Sequence, residues 1–120
     1  MDPRQRGKWG EKHALDHMNR KNYETVATGF RSRFGEIDLI VKSKECIVFA
    51  EVKTRKNSNF AYAREFVGKS KQAKIIATAK YWLLKNPTKL QPRFDVIEVY
   101  ANDNEYILPP VINHIENAFE

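Results

Sequence analysis

The chain has 120 residues, 42% of them hydrophobic and 30% charged, a size that suits one domain spanning 1–120 and leaves too little for two separate cores. At this length a fold buries roughly two-thirds of the surface its unfolded chain exposes, so neither disulfides nor a structural metal is required. The lone cysteine, Cys46, followed by Ile47, Val48 and Phe49, reads as a small buried hydrophobe, and the first twenty residues are too charged, and the hydrophobic runs too short, for a secretion signal or a membrane span. A reducing, cytoplasmic setting is the expectation.

Charge is unevenly distributed. Residues 1–93 hold all 21 basic and nine acidic side chains, a net +12, whereas residues 94–120 hold six acidic and no basic ones. A strongly basic body suits a polyanion, because each phosphate neutralised releases counterions. Charge that serves only solubility is the competing explanation.

No repeat, low-complexity stretch or Gly/Ser linker divides the chain. The spacing of Trp9, Ala14, Leu15 and Met18 predicts a first helix over 7–21, with Glu11 on the same stripe as the core-facing residues. Three strands are expected at 23–28, 36–41 and 46–53, the last two rich in Ile, Val and Phe and joined by the polar link 42–45 as an antiparallel hairpin. Residues 55–66 read as an irregular polar stretch. A second helix is predicted over 69–85, where Ile76, Ala79 and Leu83 mark one face and Asn86-Pro87 a stop. A strand at 93–100, a short one at 106–108, a break at Pro109-Pro110 and a C-terminal helical turn over 112–119 complete the order α-β-β-β-α-β-β-α. That order predicts an α/β fold, a mixed sheet covered by helices.

The chemistry concentrates in Gly35-Glu36-Ile37-Asp38-Leu39-Ile40 and Glu51-Val52-Lys53, on neighbouring predicted strands. With Val41 opposite Cys46, Asp38 faces Phe49 and Glu36 faces Glu51, which puts Asp38, Glu51 and Lys53 on one side of the sheet. Two carboxylates among Ile and Phe repel one another and lose hydration, so a cation must compensate them. Mg²⁺, or Mn²⁺ in its place, suits such oxygen ligands and is commonly held by one or two carboxylates together with substrate phosphate. A bound ion of this kind activates water and polarises a phosphodiester, and Lys53 is set to orient the water or to stabilise charge developing on the phosphate.

An acidic residue on one strand followed by Glu-x-Lys on the next resembles the PD-(D/E)XK nuclease superfamily. A wider set of blocks, Arg6-Gly7 through Gly10-Glu11 and Ala14, then residues 35–40, 49–55, 93–96 and 114–119, is similar to the YraN-like family of bacterial proteins, relatives of archaeal Holliday junction resolvases. The resemblance implies a three-layer α/β/α restriction-endonuclease-like fold, with a central mixed sheet of about five strands flanked by helices. It also implies a catalytic set of Glu11, Asp38, Glu51 and Lys53, with the metal held by Asp38, Glu51, the Val52 carbonyl and Glu11, which reaches in from the first helix to complete the acidic site. The motif's leading proline is replaced by Ile37.

Lys71 and Gln72 resemble the basic or amide residue that follows Glu-x-Lys in such nucleases and are candidates for contact with the scissile phosphate; Lys71 as a plain surface charge is the alternative. Lys69 and Lys74 add charge to the same helix start. In the 55–66 stretch Phe60, Tyr62 and Phe66 alternate with Arg55, Lys56 and Arg64, a pattern that either stacks bases and holds phosphates or folds back over the core or a dimer partner. Glu36 is expected to pair with Arg31 or Arg33, with a further carboxylate near the metal as the alternative, and Asp95 is expected to partner a basic residue at a sheet end rather than to be a ligand. His13 and His17, four apart on a helix, lack a third ligand at zinc spacing and read as a solvated pair.

The expectation is therefore a metal-dependent nuclease acting on DNA, with branched or single-stranded structures as candidate substrates and no membrane partner. The alternatives are a nucleic-acid-binding module that keeps the fold without cutting, and an interaction protein that uses an apolar surface. A homodimer is suggested by analogy with the resolvases.

Overall fold

A computed structural model describes residues 2–56, 67–101 and 109–120. Its elements, in chain order, are α1 (Pro3–Arg20), β1 (Glu24–Ser32), β2 (Gly35–Lys42), β3 (Cys46–Lys56), α2 (Lys69–Lys85), β4 (Gln91–Ala101) and β5 (Val111–Phe119). The strands form one mixed sheet in the order β1-β2-β3-β4-β5. Neighbours are antiparallel except β3 and β4, which run parallel and are joined through α2.

The two helices pack on opposite faces of the sheet. Ala14 and Met18 of α1 meet Leu39, Val41, Val48, Ala50, Ile97 and Val99. Ile75 and Ala79 of α2 meet Ile40, Ile47, Phe49 and Val96. Alternate residues of β2 and β3 thus serve different helices, which is why both strands read as continuous apolar runs. The predicted α/β architecture, a five-stranded mixed sheet flanked by helices, is the one observed.

α1 begins four residues before its predicted start. Asp2 caps it, accepting from the Gln5 N–H at 2.8 Å, while the Gln5 side chain accepts from the Asp2 N–H at 3.0 Å, and Pro3 occupies the first helical position. Gly10 lets α1 descend onto β3, since a Cβ there would lie 1.9 Å from Thr54 Oγ1. α2 has the predicted bounds and ends where Asn86 donates to the Trp82 carbonyl through both its backbone and its side chain.

Three expectations are corrected. The β2–β3 hairpin is tighter than predicted: the Ser43 N–H donates to the Cys46 carbonyl, and Ser43 Oγ accepts from the Glu45 and Cys46 amides. Val41 therefore pairs with Val48 and Leu39 with Ala50. The register differs by two residues from the one expected, so every side chain keeps its predicted face. Cys46, in turn, is only partly buried at the start of β3, with Arg93 beside its sulfur.

The third correction is at the C-terminus, where β5 replaces the predicted helical turn. Val96 pairs with Ile115 but Phe94 pairs with Phe119, so β5 bulges by two residues, and Asn117 takes up the excess at φ 51°. The bulge spaces Ile115 and Phe119 four apart, as a helix face would. The short strand predicted at 106–108 lies outside the described residues.

Candidate active site

The ladder between β2 and β3 stops at Leu39–Ala50. One residue further, the same register sets Asp38 across from Glu51. Asp38 Oδ2 accepts the Val52 N–H at 2.8 Å, so its side chain takes over the backbone donor where the strands part. Both carboxylates line a cavity of about 110 Å³ shared with Gly35, Glu36, Lys71, Lys74 and Ile75. The two strands, which run as a close pair through their apolar middle, deliver the acids to the α2 side of the sheet.

Burial, and next the charge of Glu51, push the Asp38 carboxyl up to about 7, with Glu11 and Glu36 adding to the rise and the Val52 N–H opposing it. Glu51 is buried and attracts two ammonium groups, Lys71 Nζ at 2.6 Å and Lys53 Nζ at 3.8 Å. Burial disfavours the charge of Lys71, but its hydrogen bond to Glu51 and the charges of Glu51 and Asp38 outweigh burial and raise its pKa. Lys53 moves the other way, lowered by burial and by the neighbouring Lys71 more than Glu51 raises it. One lysine is thus clamped on the carboxylate, while the other, further away, holds its proton less firmly than usual.

Glu11 is half-buried on α1, next to the close approach at Gly10, and its pKa is raised by burial and then by Glu36 and Glu51. It lies within the field of the acidic pair. Among the described residues no group of three or more His, Cys, Asp or Glu side chains is gathered into metal-ligating geometry. Two opposed carboxylates are the kind of oxygen donors that could hold a hard divalent cation, which would have to take the place the Lys71 ammonium now has on Glu51.

The other candidates separate. Lys74 lines the cavity and Lys69 is exposed at the α2 start. Gln72 instead donates through Nε2 to the Val67 carbonyl at 2.7 Å, tying the approach to α2 in place. Arg55 is half-buried on β3 and Lys56 ends that strand, whereas Arg64, with Phe60, Tyr62 and Phe66, lies outside the described residues. Glu36 pairs with Arg31 at 3.5 Å. His13 packs edge-on to Trp9 and His17 to His114. Burial lowers the pKa of both histidines.

Asp95 does meet a basic partner, Arg93, within a larger cluster on the α1 face that includes His114, Tyr23 and Asn117. The Arg93-x-Asp95 spacing signals half of this cluster. His114 joins it only through the β4–β5 pairing, which the helical reading of 112–119 concealed. Glu98, buried and bound by Asn113 Nδ2 at 2.8 Å, was missed for the same reason; in the parallel register it stands beside Lys53.

Fold and site together define an α/β protein whose central sheet presents an opposed carboxylate pair bearing two lysines. The model of the uncharacterised protein family UPF0102 matches residues 10–99. A UPF0102 protein of Clostridioides difficile is 42% identical over 99% of this chain and 100% of its own length, and one of Caldanaerobacter subterraneus subsp. tengcongensis is 45% identical over 94% and 93%. A third, from Persephonella marina, is 38% identical over 96% and 93%. The chain belongs to the UPF0102 family, the YraN-like proteins.

Proposed function

We propose that this protein is a metal-dependent nuclease of the PD-(D/E)XK type that hydrolyses phosphodiester bonds in DNA. One observation carries the reading: Asp38 and Glu51 oppose each other at the point where two strands part, and the lysine two residues after Glu51 shares that carboxylate with a lysine from the next helix. A fold that needed only stability gains nothing from crowding two acids among apolar residues.

Asp38, Glu51 and the Val52 carbonyl would hold Mg²⁺ or Mn²⁺, with Glu11 adding negative field from α1. When bound, the ion supplies Lewis-acid polarisation of the phosphate and a more acidic water. Lys53, on the same side as the acids, would orient the attacking water and, as a cation, stabilise the charge that builds on the phosphate oxygens. With a cation held by Glu51, Lys71 would be free to turn from that carboxylate to the scissile phosphate, and Lys74 and Lys69 would extend the positive edge. The net +12 of residues 1–93 supports a polyanionic substrate.

The test is a panel of duplex, single-stranded, flap and four-way-junction DNA with Mg²⁺, Mn²⁺ or EDTA. Cleavage is expected only with metal, and Asp38→Asn or Glu51→Gln is expected to reduce it by on the order of 100-fold or more with the fold intact. Salt-sensitive DNA binding without cutting in any condition would return the protein to a binding module. Undiminished cleavage in both variants would remove the acidic pair from the chemistry.

A further inference from the structure

Lys71, Lys74, Thr78, Tyr81 and Lys85 recur three or four residues apart along α2 and form one stripe on that helix. The stripe starts at Glu51, which Lys71 touches. It then passes beneath Gly35, where a Cβ would meet Thr78 Oγ1 at 3.2 Å and Lys74 Cβ at 3.3 Å, and it ends at the β1–β2 turn. There the Tyr81 ring stacks on Phe30 at 6.5 Å and leans on Phe34 at 5.8 Å. Lys85 Nζ sits 5.1 Å over Tyr81, and the Arg33 guanidinium 4.9 Å over Phe34. Phe30, Arg31, Ser32, Arg33, Tyr81 and Lys85 bound a cavity of about 450 Å³.

A turn that only joins two strands favours Gly, Asn, Asp or Ser and exposes no ring. This one carries Arg31-Ser32-Arg33-Phe34-Gly35, with Phe34 38% exposed at its tip. The cations now lie over these ring faces; drawn off by phosphates, they would bare faces on which a nucleobase can stack, and stacking of this kind tolerates any base. In a duplex the base faces are already covered, so the chemistry selects a nucleotide that is unpaired. The cavity, which Tyr81 lines and Phe34 borders only through its contact with that ring, falls within the roughly 300–1,000 Å³ usual for small-ligand sites.

We propose that the β1–β2 turn and the C-terminal half of α2 bind an unpaired nucleotide of single-stranded nucleic acid, its base on Phe34 and Tyr81 and its phosphates on Arg31, Arg33 and Lys85. Ten residues of α2, about 15 Å, separate Tyr81 from Lys71. A strand anchored at the turn therefore needs to span only about that distance to reach the acidic pair, passing over Gly35, which covers Thr78. The assignment deepens the nuclease reading and rests on it for the position of the cut; the binding itself needs neither metal nor cleavage.

Anisotropy of a short fluorescein-labelled oligothymidine in EDTA, compared with an abasic oligomer of equal length and a duplex, tests this. The wild-type protein should bind the oligothymidine more tightly than the abasic strand. Phe34→Ala and Tyr81→Ala should each weaken oligothymidine binding about tenfold and leave the abasic strand unaffected. Arg33→Ala should weaken both and flatten the salt dependence. Equal affinity for the two strands in the wild type, or unchanged affinity in the aromatic variants, overturns the proposal. Because Tyr81 also packs on α2's own neighbours, a second readout uses only wild-type protein: photocrosslinking of a 5-bromodeoxyuridine oligomer should label Phe34 or Tyr81, and labelling confined to other residues overturns it. Loss of the nuclease reading would show separately, as metal-dependent cleavage that ignores Asp38 and Glu51 or never occurs.

Discussion

Asp38 and Asp95 are carboxylates on strands of one sheet, and their surroundings are opposite. Asp95 is 0% exposed yet accepts from Arg93 Nε at 2.9 Å and Nη2 at 2.8 Å, from the Asn117 N–H at 3.0 Å and from His114 Nε2 at 2.7 Å. Burial opposes its charge, but the hydrogen bonds from His114, Arg93 and Asn117 win, and its pKa falls. The second nitrogen of His114 meets Lys21 Nζ at 3.0 Å, and Arg93 also donates to the Tyr23 hydroxyl. Asp38 accepts one backbone N–H and stands across from Glu51, with Lys71 in the same cavity but bonded to Glu51, and its pKa rises. Depth in the sheet does not mark a functional carboxylate; the difference lies in whether the fold itself supplies the compensating donors. Asp95 ties β4 to β5 and, through Arg93 and Tyr23, to the approach to β1, whereas the surroundings of Asp38 work against its charge.

The strongest way to break this contrast is to remove Asp95. Asp95→Ala leaves Arg93 with Tyr23 and Glu116 and deprives a buried histidine and a backbone N–H of their acceptor, and is expected to cost about 3–5 kcal/mol in urea unfolding at neutral pH. A loss under about 1 kcal/mol would show that water replaces the carboxylate, and the two sites would no longer differ in kind.

Asp38 should respond with the opposite sign. Its folded-state pKa, about 7 against an ordinary 3.8, means that the fold favours the protonated acid. The corresponding stability is complete below the ordinary value and is lost as pH rises from about 4 through 7. Asp38→Asn keeps an acceptor for the Val52 N–H and removes the charge, so it should stabilise the protein at pH 8 by on the order of 1–3 kcal/mol and flatten the profile between pH 4 and 7. Mn²⁺ should raise the melting temperature of the wild type at pH 8 and have much less effect on the variant. A variant less stable than wild type at pH 8 would mean that Asp38 is held by its neighbours much as Asp95 is.

Part of this contrast is legible in the sequence. The acids and Lys53 alternate with apolar residues in strands of high β-propensity, and side-chain parity survives a register error of two residues, so their common face was predicted although Asp38 was set opposite the wrong partner. α2 was legible because Asn86-Pro87 stops it. What sequence withheld depends on long-range pairing. Lys71 reaches Glu51 only once α2 crosses the sheet, and the pairs that join Asp95 to His114 and Glu98 to Asn113 exist only when β5 lies on β4. In β5 the apolar pattern itself misleads, because a bulge spaces Ile115 and Phe119 as a helix would.

That bulge belongs to the Asp95 side of the comparison and gives its finest test. Asn117 adopts φ 51°, a left-handed conformation that Asn and Gly tolerate better than other residues, and its N–H is held by Asp95 Oδ1. Asn117→Gly should leave stability within about 0.5 kcal/mol, whereas Asn117→Ala should cost about 1 kcal/mol, since the methyl group meets the local carbonyl in that conformation. Repeating the pair of substitutions in the Asp95→Ala background separates the two causes of the bulge. If the carboxylate holds Asn117 left-handed, the Ala–Gly difference should shrink once the anchor is gone and the segment relaxes. An undiminished difference would mean that the β4–β5 register imposes the bulge by itself, and that Asp95 satisfies a geometry it did not create.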